Sequence, residues 1–151
     1  MTERAIDVRA GAATHPGLRR RVNEDSHLAD YPLYLVADGM GGHDAGAAAS
    51  GAVIAAFREL AGDDAVGIEG MRSALLRARI AVERIGHAGR AAGTTLTGVV
   101  VTEVGGQGYW LAVNVGDSRT YRFADDELEQ ISVDHSVVQE LIDAGELTGD
   151  A

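Results

Sequence analysis

Leu33-Tyr34-Leu35-Val36-Ala37-Asp38-Gly39-Met40-Gly41-Gly42-His43-Asp44-Ala45-Gly46 is the stretch that decides the fold. Its five leading apolar residues end abruptly at Asp38-Gly39, which predicts a strand buried on both faces that delivers a carboxylate at its tip. Beyond the glycines, the alanine-rich run from Ala45 to Leu60 predicts a helix, with Gly46, Ser50 and Gly51 allowing close packing and Gly62 ending it. A carboxylate at a strand end, next to glycines whose carbonyls and amides are approachable, suits a hard cation. The same glycines serve any turn that needs positive φ, so the segment alone fits a structural turn equally well.

Toward the amino terminus, Ala5 to Ala13 and Ser26 to Asp30 read as two short strands around the turn-rich His15-Pro16-Gly17. Between them lies Arg20-Arg21-Val22-Asn23-Glu24-Asp25, two arginines, a valine and an asparagine and then an acidic pair. A guanidinium suits phosphate and an adjacent acid suits a metal, although a surface loop with local ion pairs has the same composition.

Toward the carboxyl terminus, a second helix is expected over about Gly70 to Ile85, with Met71, Leu75, Ala78, Val82 and Ile85 on one stripe and Arg79 paired to Glu83. From Thr94 the pattern turns to β. Strands are expected at Thr94 to Val104, Tyr109 to Val115, Arg119 to Ala124 and Glu127 to Ile131, joined by turns at Gly105 to Gly108, Gly116-Asp117-Ser118 and Asp125-Asp126, as an antiparallel meander. Ser136 with Gln139 resembles a capping box opening a helix to Ala144. The sum is an α+β domain, two helices on an antiparallel sheet, whose second apolar face nothing in this sequence covers. Asp117 in its turn fits an Asx turn, and Thr94, Thr95 and Thr97 fit plain β-formers.

The bulk properties narrow the chemistry. A chain of 151 residues with 46% hydrophobic content fits one domain with a real core. With 13 Lys+Arg against 23 Asp+Glu and a formal charge of −10, nucleic acid and anionic membrane surfaces are not expected partners. The absence of Cys removes thiolate metal sites and a cysteine nucleophile. Met1-Thr2-Glu3-Arg4 is polar and no apolar run approaches a membrane span, so a cytoplasmic protein is expected.

Taken in order and spacing, Arg-x-x-x-Glu-Asp, Asp-Gly-Met-Gly-Gly-His, Gly-Thr-Thr, Gly-Asp-Ser-Arg and Asp-His-Ser resemble the bacterial branch of the PPM-type (type 2C) metal-dependent serine/threonine protein phosphatases, over about Ala5 to Thr148. That resemblance implies a four-layer α-β-β-α sandwich of antiparallel sheets, of which residues 1–151 would supply the first half to two-thirds of one phosphatase domain with its carboxyl-terminal part missing. It implies hydrolysis of phosphoserine and phosphothreonine in proteins by a metal-activated water, with Mn²⁺ or Mg²⁺ as cofactor, two ions and a third in an accessory place. Serine/threonine kinases are then natural counterparts. Arg20 resembles the phosphate-binding arginine, Asp38 the carboxylate that bridges two metals, Gly39 the residue that offers its backbone carbonyl, Glu24 and Asp25 the acidic pair at metal-bound water, and Asp117 the ligand of the accessory ion. Asp134 and His135 match a motif expected to be structural. Met40 stands where eukaryotic members often carry a histidine, which leaves the leaving-group proton without an obvious donor. A catalytically incomplete fragment acting as a binding or regulatory module is the alternative function.

Overall fold

The computed structural model describes residues 5–42, 44–86 and 91–135. Its elements are β1 (Asp25–Asp30), β2 (Leu33–Gly41), α1 (Ala45–Arg58), α2 (Ile68–Gly86), β3 (Ala92–Thr94), β4 (Leu96–Val104), β5 (Gln107–Val115), β6 (Tyr121–Ala124) and β7 (Glu127–Gln130). The first five strands form one antiparallel sheet in the order β1-β2-β4-β5, with β3 pairing the far end of β2, and β6 and β7 form a separate hairpin.

Both helices lie on one face of the sheet. Leu28, Leu33, Leu35, Ala37, Leu96 and Val100 from the strands meet Val53, Ile54, Phe57, Met71, Ala74 and Ala78 from the helices in one buried cluster. Each large side chain so enclosed contributes ~1.5–3 kcal/mol against solvation, and Phe57 and Leu33 are fully buried at its centre. The small residues of α1 act as expected: a Cβ on Gly46 would stand 2.5 Å from Glu24 Oε1, and one on Gly39 would overlap the Gly46 carbonyl. The start of α1 therefore presses on the end of β2. Gly62 follows the end of α1 at φ 93°, and Arg79 Nε donates to Glu83 at 2.8 Å.

Four expectations are corrected. The apolar run at 33–37 is buried on one face: Leu33, Leu35 and Ala37 are enclosed, whereas Val36 on the other face is 47% exposed. Tyr34, paired edge to face with Trp110 at a ring distance of 5.9 Å, lies on that second, partly open face, which is the uncovered apolar surface anticipated above. Ala5 to Ala13 forms no strand, its residues being mostly exposed. The meander breaks after β5, because Gly116 (φ 95°) and the residues after it leave the sheet edge and cross the open face. There Thr97 bonds Thr120 at 2.9 Å and Asn114 Nδ2 donates to the Val133 carbonyl at 2.8 Å. The hairpin thus begins a layer on the side opposite the helices. The turn at Gly105-Gly106 is also tighter than expected, Gln107 and Gly108 already pairing with Val104 and Glu103. The helix expected from Ser136 and the residue His43 lie outside the described residues.

Candidate metal and phosphate site

Antiparallel register places Asp25, the first residue of β1, directly opposite Asp38 of β2. Like charges in that position repel, and in a sheet with nothing else at stake such a pair is destabilising. Here it opens a cleft of about 490 Å³ lined by Arg20, Glu24, Asp25, Asp38, Gly39, Thr95, Asp117 and the 15–16 segment. The Asp38 carboxyl is held above the ordinary carboxylate range, first by desolvation, then by Asp25, and further by Asp117, with Arg20 opposing. Two acids this close need a proton or a cation between them.

The other parts are positioned by backbone. Gly39 N–H donates to the Glu24 carbonyl at 3.2 Å, tying the acidic pair to the strand end. Ser50 of α1, fully buried, donates to the same carbonyl at 2.6 Å and bonds Ser26 at 2.9 Å. Arg20 reaches across the cleft mouth, 77% exposed, its Nη1 3.9 Å from Glu24. Asp117 belongs to a loop pinned from two sides: Gly116 O accepts from His135 N–H at 2.8 Å and from Asn114 Nδ2 at 3.2 Å.

Thr95 joins the halves. It donates its N–H to the Asp38 carbonyl at 2.9 Å and accepts from the Asp38 N–H at 3.0 Å, while its hydroxyl bonds Ser118 Oγ, next to Asp117, at 2.6 Å. By sequence Thr95 reads as a β-former and Ser50 as a small residue for packing; a hydroxyl at the turn into β4 is the available signal for the first. Arg119 forks onto Asp134 at 2.9 and 2.6 Å, which holds the Asp134 carboxyl below the usual range. That agrees with a structural part for the Asp134-His135 motif.

Among the described residues no group of three carboxylate or imidazole side chains stands close enough to enclose an ion. The donor set nevertheless fits a hard divalent cation: it consists of oxygens only, with two carboxylates in contact and a third near enough to raise Asp38.

The fold that carries this site is shared with solved proteins. No protein-family model matches the chain. Over 98% of its length it is 39% identical to the serine/threonine protein phosphatase PstP of Mycobacterium tuberculosis, of which it spans 29%. It superposes on the crystal structure of that phosphatase with a TM-score of 0.79 at 37% identity, covering 91% of this chain and 59% of the other. It also superposes on the PstP catalytic domain in complex with two manganese ions, with a TM-score of 0.77, and on the PPM Ser-Thr phosphatase MsPP of Mycobacterium smegmatis in complex with cacodylate, with a TM-score of 0.75 and 41% identity. The chain is a relative of the PPM-type serine/threonine phosphatases. It carries their fold over about three-fifths of those solved domains and under a third of the length of the curated mycobacterial relative.

Proposed function

We propose that residues 1–151 are part of a PPM-type phosphatase domain that hydrolyses phosphoserine and phosphothreonine in proteins, with Mn²⁺ or Mg²⁺ held at the Asp25–Asp38 pair. The observation that carries this reading is that pair itself: two carboxylates set opposite each other across a strand ladder, with Asp117 adding to the negative field and Arg20 at the mouth.

Asp38 and Asp25 would hold the ions together with the Gly39 carbonyl, Glu24 would orient coordinated water, and Asp117 would serve an accessory ion. Bound there, the metal supplies an activated water and neutralises the phosphoryl oxygens. The chain's own residues bind and orient. Arg20, exposed at the cleft mouth, can take the phosphate by a fork of N–H donors. Thr95 fixes the backbone on both sides of Asp38, so the carboxylate does not swing away when charge gathers. With no Cys in the sequence, no thiol nucleophile competes with water. The substrates would be phosphoproteins in the cytoplasm, with serine/threonine kinases as opposing partners. Among the described residues no helix is long and apolar enough to cross a membrane.

A second reading is a binding or regulatory module without turnover. It is favoured by the incomplete enclosure of an ion among the described residues and by the open face carrying Val36 and Trp110, each 47% exposed. One experiment separates the two. Calorimetric titration of the chain with Mn²⁺ should show binding that Asp38→Ala abolishes, accompanied by Mn²⁺-dependent phosphate release from a phosphothreonine peptide. Metal binding without release supports the module, and metal binding untouched by Asp38→Ala refutes the assignment of the site.

A further inference from the structure

His15 borders the same cleft as Arg20, Asp25 and Asp38, and the site described above gives it no work. Its geometry is specific. The Gly17 N–H donates to His15 Nδ1 at 3.0 Å. A backbone amide can only donate, so Nδ1 presents its lone pair and the proton of the neutral ring sits on Nε2. Among the described residues this is the one hydrogen bond His15 makes. The turn around it is tight, with Gly17 at φ 76°, so the ring is tethered at one nitrogen and offers an N–H donor at the other.

The surroundings say what such a donor is for. Arg20 is the one cation among the described residues that line the cleft, against Glu24, Asp25, Asp38 and Asp117. A phosphomonoester dianion has three non-bridging oxygens, each able to accept more than one hydrogen bond, and a single exposed guanidinium satisfies two of those positions at most. An uncharged imidazole N–H adds a donor without adding a second ion pair to break when product leaves. Closing the turn needs only an acceptor at the position of Nδ1, which Ser or Asn supplies as well. The distal N–H is the part of histidine that the turn does not explain.

We propose that His15 Nε2–H is a second donor to the phosphoryl group, acting beside Arg20 at the mouth of the cleft. The proposal rests on the phosphomonoester reading given above. It makes His15 a binding residue and assigns it no proton transfer.

The test is nuclear magnetic resonance on the full 151-residue chain labelled with ring ¹⁵N-histidine, titrated with inorganic phosphate in the presence of Mg²⁺. The His15 Nε2 and its proton should move with phosphate. His15→Ser should weaken phosphate binding roughly tenfold, the usual scale for one hydrogen bond to a charged group, while the Gly17 amide resonance stays in place because Ser Oγ takes over its bond. His15→Asn, which also preserves the turn, should give the same loss. If both variants bind phosphate as the wild type does while Arg20→Ala does not, the role of His15 is overturned and the phosphatase reading stands. If the wild type shows no phosphate binding, both fall.

Discussion

Replacing Thr95 by Val tests whether the cleft is held together as its hydrogen bonds indicate. Valine keeps the branched shape and the backbone bond from residue 95 N–H to the Asp38 carbonyl. It removes the hydroxyl that accepts from the Asp38 N–H at 3.0 Å and bonds Ser118 Oγ at 2.6 Å. Each such bond contributes ~0.5–1.5 kcal/mol net. Water can replace the first, which is solvent-exposed, and only poorly the second, which is partly buried. The sum is about 1–2 kcal/mol, or a melting temperature lower by roughly 3–8 °C for a domain of this size. The functional loss should be larger in proportion. Thr95 is the link between the strand that carries Asp38 and the loop that carries Asp117, and losing a residue that orients metal ligands typically costs about 10- to 100-fold in affinity. Thermal melting and Mn²⁺ calorimetry on the same preparations measure both, and Thr95→Ser, which restores the hydroxyl, should recover both. If Thr95→Val melts with the wild type and binds Mn²⁺ equally, the two halves of the cleft are not coupled through this side chain.

Asp38→Asn should separate stability from function. The folded-state pKa of Asp38 is raised, so its contribution favours the fold at pH below the ordinary carboxylate value and is lost as pH rises through the folded value; at neutral pH the metal-free variant should be the more stable by ~0.2–1 kcal/mol, the scale of a relieved cross-strand repulsion, while calorimetry shows Mn²⁺ binding gone. Arg119→Gln should act with the opposite sign. Asp134 is held low by the Arg119 fork, so its contribution is present above about pH 4 and is lost only as pH falls through its lowered value, and the variant's acid unfolding midpoint, followed by circular dichroism, should move up toward pH 4. Gly46→Ala should destabilise by ~1–3 kcal/mol in urea denaturation, since the new Cβ would stand 2.5 Å from Glu24 Oε1 and 2.9 Å from the Gly39 carbonyl carbon; an unchanged midpoint would mean that α1 does not press on β2 as described.

The strand, glycine turn and helix around Asp38 were legible because each rests on a local cause: an apolar run, residues without Cβ, and alanines with no competing turn signal. What the run could not say was how many of its faces would be covered. Five apolar residues in a row describe a strand meant for two apolar neighbours, and among the described residues only the helices supply one fully, the other side meeting no more than the crossing at Thr120 and Val133. The break in the meander was hidden for a similar reason. Short loops and alternating residues specify hairpins one at a time, whereas the departure of the chain after Gly116 is set by bonds from Asn114 to Val133 and from His135 to Gly116, residues 19 apart in each case.

The site was legible as residue types and illegible as an arrangement. Nothing local in Glu24-Asp25 or in Asp38-Gly39 says that Asp25 and Asp38 will stand opposite one another; that follows from the register of β1 on β2, which the sheet sets by burying Leu28 beside Leu35 on the helix side. Side chains alternate along a strand, so a slip of one residue would turn Leu28 outward and move Asp25 to the buried face. The hydrophobic core therefore enforces the repulsion between the two acids. A fold that uses apolar burial to hold two carboxylates together is strained in the absence of a cation and relaxed in its presence, which is why the metal-free stability of Asp38→Asn and its loss of Mn²⁺ binding should come from the same substitution. If that variant instead lost stability, the acids would be held by something other than the core, and the cleft would have to be read as a structural turn.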